Sequence, residues 1–77
     1  MSRSRLEILR DILNVCREAS AKSRITQRAN LNYKTTEIYL EILLNEKWIH
    51  ENGKYKITEE GLRMLEKMEK VAEELGE

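Results

Sequence analysis

Apolar positions in the first quarter of the chain recur at helical spacing. Between Ser4 and Ala19, Leu6, Leu9, Leu13 and Cys16 form one stripe, and Ile8, Ile12 and Val15 form a second beside it. This predicts a first helix over Ser4 to Ala19 whose apolar arc is too wide for one neighbour to cover. Ser20-Ala-Lys22 is short and fits a stub of strand. Ser23 then stands where it can cap a helix of two turns at most, with Ile25 and Ala29 as its buried stripe. Asn30-Leu-Asn32 reads as a tight turn around one apolar anchor, and Asn32 can cap the next helix by accepting from a free backbone N–H. A longer helix starts at Tyr33. Thr36, Tyr39, Leu40, Leu43 and Leu44 share one face of it, while Lys34, Thr35, Glu37, Ile38 and Glu41 turn the other way. A short helix, a brief turn and a longer helix make a helix-turn-helix.

After Asn45 the period changes from helical to alternating. Lys47-Trp-Ile-His50 and Lys54-Tyr-Lys-Ile57 flank Asn52-Gly53, the strongest hairpin signal in the chain. Trp48 or Ile49, with Tyr55 and Ile57, would face the helices, leaving Lys54 and Lys56 outward. Thr58 reads as the cap of a last helix, with Glu59 and Glu60 where the helix dipole favours acids. Gly61, in its first turn, would permit close backbone approach to another helix. Leu62 and Leu65 would pack inward on the first helix. Leu65, Met68, Ala72 and Leu75 repeat at 3, 4, 3 spacing, the seam of a two-stranded coiled coil. The expected fold is mainly α with a small β-hairpin: a core over residues 1–58 and an extended C-terminal helix over 59–77. That helix would pair two copies of the chain, assisted by the spare stripe of Ile8, Ile12 and Val15.

Composition narrows the function more than the fold. Seventy-seven residues make one domain, too small for a deep cleft and the scaffold to hold it rigid, so a binding module is the default. With 40% hydrophobic and 36% charged residues, the chain has material for a core and a densely ionic surface. No apolar run is longer than the three residues of Ile42 to Leu44, and Met1-Ser-Arg-Ser-Arg5 is followed by no long apolar region. A cytoplasmic location is expected, with no membrane partner.

The net charge of zero hides a split. Through Thr36 eight basic residues stand against three acids, and from Glu37 onward six stand against eleven. A basic nucleic-acid face with an acidic far side fits that asymmetry. A helix enters the major groove with its first turn nearest the bases, and flanking residues hold phosphates. Asn32, Tyr33, Lys34 and Thr35 occupy that first turn. Lys22, Arg24 and Arg28 are candidates for phosphate contacts from the preceding helix, and Lys54 and Lys56 for contacts from the hairpin. Among these, Asn32, Lys34 and Thr35 suit base reading. Glu37 and Glu41 oppose phosphate on the same helix unless one accepts from a cytosine amino group.

Catalysis has little to work with. His50 is the only histidine, Cys16 the only cysteine, and no glycine-rich phosphate loop, paired-cysteine motif or histidine pair occurs. No enzyme activity, cofactor or metal site is expected. A rival to DNA binding is a protein–protein module using Ile38 and Ile42 beside Glu37 and Glu41.

Particular strings then point to a family. Lys22-Ser-Arg-Ile25, Arg28-Ala-Asn-Leu-Asn-Tyr33, Tyr39-Leu40 followed by Leu43-Leu44, and Asn52-Gly-Lys-Tyr-Lys-Ile-Thr58 with Gly61 closely resemble small archaeal winged-helix DNA-binding proteins, including 10a-type chromatin proteins and ArnR-like regulators. The resemblance covers about Arg5 to Leu65. It implies a winged helix-turn-helix that binds double-stranded DNA in transcription regulation or nucleoid chromatin, and a homodimer joined through the terminal helix. Lys47 stands where relatives tend to carry glycine, so it would have to take a left-handed conformation or end its helix differently.

Overall fold

A computed structural model describes residues 3–76. The Met1-Ser2 start and the final residue of the 59–77 segment lie outside that range. The elements are four helices, α1 (Arg5–Val15), α2 (Lys22–Arg28), α3 (Tyr33–Asn45) and α4 (Glu59–Glu74), and, between the last two, a hairpin of β1 (Ile49–Asn52) and β2 (Lys54–Ile57). The strands pair antiparallel, Ile49 opposite Ile57 and Asn52 opposite Lys54, with Gly53 at the tip in the left-handed region at φ 77°.

Local side-chain chemistry starts three of the helices. Ser4 and Glu7 form a reciprocal capping box on α1. The Asn32 side chain accepts from Thr35 N at 2.8 Å, and Thr58 Oγ1 accepts from Gly61 N at 3.0 Å. The fourth differs from expectation: α2 begins at Lys22 after an uncapped Ala21, and Ser23 lies inside it. Ser20 causes this. Its backbone exchanges both hydrogen bonds with Tyr55, at 2.9 and 2.8 Å, which holds the chain extended up to Ala21. The anticipated stub of strand is this single bridge.

A second contact with the hairpin accompanies the end of α1 at Val15, short of the expected Ala19. Cys16 takes the cap position, and its carbonyl accepts from Ile57 N at 2.8 Å. The backbone of the hairpin thus competes successfully for the end of the helix.

Two helix ends turn through left-handed residues other than glycine, Asn30 at φ 55° and Lys47 at φ 66°. After α2, Leu31 N donates to Thr26 O and Asn30 N to Gln27 O. After α3, Trp48 N donates to Leu43 O and Lys47 N to Leu44 O. Both are Schellman motifs, which satisfy terminal carbonyls that would otherwise lack partners. Lys47 therefore does adopt the conformation that glycine usually supplies.

Ile12, Leu13, Cys16, Ile25, Ala29, Leu40, Leu43, Ile49, Leu65 and Met68 form one buried cluster. All four helices and β1 contribute. The choice between Trp48 and Ile49 resolves to Ile49, which is buried, while Trp48 is half-buried ahead of the strand. The wide arc of α1 is covered mainly from within: Ile12 is fully buried, and Ile8, Leu9 and Val15 pack against the cluster. Gly61 does allow a close approach, but to the link between α3 and β1 rather than to a helix. A Cβ there would stand 2.0 Å from the Trp48 carbonyl oxygen.

The expected pairing seam draws on side chains that pack within the chain itself. Leu65, Met68 and Ala72 are buried within the chain, at 0%, 7% and 6% exposure, where α4 contacts α1. Ile12 is likewise at 0%. These side chains are already used by the chain's own core. On the last turns of α4 the exposed apolar side chains are Val71 and Leu75.

Candidate nucleic-acid interface

The amino end of α3 is open to solvent. Asn32, Tyr33 and Lys34 are exposed and Thr35 is half-buried. Inward-facing Thr36 is fully buried and anchors this end. Its hydroxyl donates to Asn32 O at 3.0 Å and lies 2.9 Å from Thr26 Oγ1 on α2, a polar link between the two helices. Lys22, at the start of α2, reaches across to the same end of α3. Its ammonium lies 3.1 Å from Glu37 Oε2 and 5.3 Å from the centre of the Tyr33 ring. The hydrogen bond to Glu37 is the largest influence holding the Lys22 pKa above its ordinary value. Tyr55 of β2 feels the charge of Lys22. Its phenol is pushed up, first by burial and next by the charge of Glu51. Farther along α3, Ile38 and Ile42 are exposed, as are Glu37 and Glu41.

An exposed helix held at its amino end against a shorter one, with a hairpin and a last helix behind it, defines an architecture, and comparisons agree with it. The winged helix-turn-helix profile matches residues 2–76. This chain belongs to the winged helix-turn-helix family. No curated protein matches the chain in sequence. Among solved structures, it is similar to the crystal structure of Sso10a-2, a DNA-binding protein from Sulfolobus solfataricus. Identity is 31%, the TM-score is 0.77, and the match covers 95% of this chain and 85% of that one. The resemblance to small archaeal winged-helix proteins seen in the motifs therefore holds, as does the fold class.

Within this winged helix, the side chains singled out from sequence fall into two groups. Lys22, Asn32, Tyr33, Lys34 and Thr35 gather at the amino end of α3. Arg24 and Arg28 do not. Lys22 and Thr26 hydrogen-bond to α3, and at about 100° per residue Arg24 and Arg28 leave the helix on another side. There they line a recess of about 340 Å³ with Asn14, Val15, Arg17 and Glu18. The wing is divided too. Lys54 is exposed next to the tip, whereas Lys56 lines a neighbouring recess with Arg17 and the start of α4.

Arg17 and Arg3 were missed in the sequence. Arg3 donates to Asp11 at 2.7 Å and to the Asn30 carbonyl at 2.9 Å, tying the start of the chain to the turn between α2 and α3. Arg17 had a faint signal, since Arg10, Asn14 and Arg17 follow helical spacing, but that spacing does not say which neighbour they meet. Among the described residues there is no group of three or more His, Cys, Asp or Glu side chains placed to hold a metal ion, and no helix long and apolar enough to cross a membrane.

Proposed function

We propose that the chain binds double-stranded DNA by laying the amino end of α3 in the major groove, with Lys34 and Lys54 on flanking phosphates. That end is open: Asn32, Tyr33 and Lys34 are exposed on a helix whose opposite face is held by the core. Sso10a-2, a DNA-binding protein of the same architecture, supports the reading. Lys22 lies beside this surface, and its pairing with Glu37 moderates the phosphate-repelling carboxylate.

The mode that fits best is sequence-tolerant. Asn32 Oδ1 is committed to its cap, Thr35 is half-buried, and much of the remaining exposed face is the apolar pair Ile38 and Ile42. Few polar groups remain to discriminate bases. A chromatin-type role in the nucleoid fits more naturally than recognition of one operator, and a binding module more naturally than a catalyst. We further infer a homodimer that joins two such faces through the last turns of α4, supported by exposed Val71 and Leu75 at i, i+4 spacing.

Fluorescence anisotropy with mixed-sequence duplexes across a salt series tests the assignment. Affinity should fall steeply with salt, and Lys34→Ala should reduce the slope by about one unit. An assembly module acting through Ile38 and Ile42 would show neither effect. Binding-site selection tests the mode, since recovery of a sharp consensus would replace sequence tolerance with specific recognition.

A further inference from the structure

The recess between the end of α1 and α2 is not used by the proposed duplex face, and its chemistry is distinctive. Three guanidiniums, from Arg17, Arg24 and Arg28, line it with one carboxylate, Glu18. Arg17 is oriented by a hydrogen bond from its Nε to Asn14 Oδ1 at 3.1 Å, and Asn14 Nδ2 donates to Arg10 O at 3.2 Å. The ion pairs present are long and solvent-exposed: Arg24 to Glu18 at 3.3 Å and Arg17 to Glu69 at 3.7 Å. Such pairs hold their partners weakly. Arg28 has no ion pair among the described residues. Each guanidinium carries five N–H donors in a planar fork, so most donors here remain open to a ligand.

We propose that this recess is a second anion site, which takes a phosphate group between Arg17, Arg24 and Arg28. Forked guanidiniums match phosphate oxygens bidentately, and the volume of about 340 Å³ lies in the range of small-ligand pockets. Glu18, whose side chain is 79% exposed, swings away as the anion replaces it on Arg24. The phosphate comes from one of two sources, a small phosphorylated ligand or the backbone of a DNA segment. The site stands apart from the α3 face and does not depend on duplex binding there.

Amide and arginine side-chain resonances of isotope-labelled full-length protein, titrated with pyrophosphate at constant ionic strength, test it. Saturable shifts should appear at 14–18 and 24–28, weaken roughly tenfold or more in the Arg17→Gln, Arg28→Gln variant, and persist in Lys34→Gln. Glu18→Gln should tighten binding, which provides a gain-of-affinity check independent of any damage to the fold. Non-saturating shifts, shifts reproduced by chloride, or affinity unchanged by these substitutions would overturn the site. A short duplex added to Lys34→Gln, Lys54→Gln protein separates the sources. Recess shifts that pyrophosphate displaces identify DNA backbone, and a response to pyrophosphate alone identifies a small phosphorylated ligand.

Discussion

The Lys22 ammonium sits 3.1 Å from the Glu37 carboxylate, so a cation from α2 and an acid from α3 offset each other at the edge of the open helix end. Either residue alone would misstate the local charge. Glu37 repels phosphate less than its position on α3 implies, and Lys22 attracts it less.

Glu37→Gln should therefore raise duplex affinity several-fold at low salt. It removes a negative charge and frees Lys22, and the salt slope should steepen by about one unit. Anisotropy over a salt series measures both quantities. Weaker binding by this variant would mean that the Lys22–Glu37 pair is needed to shape the face.

Val71 and Leu75 carry the proposed self-association, because the buried Leu65, Met68 and Ala72 serve the core. Val71→Glu with Leu75→Glu should keep the helical circular dichroism of the folded protomer, give a monomer by sedimentation velocity, and abolish the concentration dependence of the thermal midpoint that a dimer shows. Wild-type protein that is monomeric at tens of micromolar would remove the dimer.

Gly61→Ala should destabilise the fold despite alanine's better helix propensity. The added methyl would meet the Trp48 carbonyl oxygen at 2.0 Å and Ile57 Cγ1 at 2.9 Å, which forces the hairpin and α4 apart. Overpacking of this kind costs about 1–3 kcal/mol, against a gain of about 1 kcal/mol or less from replacing glycine in a helix. Urea unfolding of the two proteins gives the difference, and an unchanged midpoint would show that the contact relaxes freely.

Cys16 should resist modification in the folded protein. Burial pushes its thiol from an ordinary value of 9.0 to about 12, so little thiolate forms below that range. Reaction with a thiol reagent should track unfolding by urea. The same burial makes stability fall as pH rises from about 9 to 12, because the unfolded chain releases the proton first and then binds fewer protons than the folded one. Tyr55, also raised, acts in the same direction. A shallower fall in Cys16→Ala than in wild type would isolate the thiol's share.

What the sequence determined by itself was local. Asn32 and Thr58 cap helices through hydrogen bonds to backbone three residues ahead, and Asn52-Gly53 turns a hairpin, because each signal acts within one turn of chain. The helical stripes of α3 and α4 were legible for the same reason, and together these elements were enough to announce the family. Tertiary structure decided what lay beyond a turn's reach. Periodicity showed that Leu65, Met68 and Ala72 share a face, but a stripe has no label for its partner, and α1 took it before a second chain was needed. The end of α1 depended on the hairpin, whose Ile57 N–H claims the Cys16 carbonyl from a distant part of the chain. The basic residues of α2 looked like one set in sequence. Only the docking of that helix, with Thr26 turned to Thr36 and Arg24 turned to Glu18, divided them between two faces.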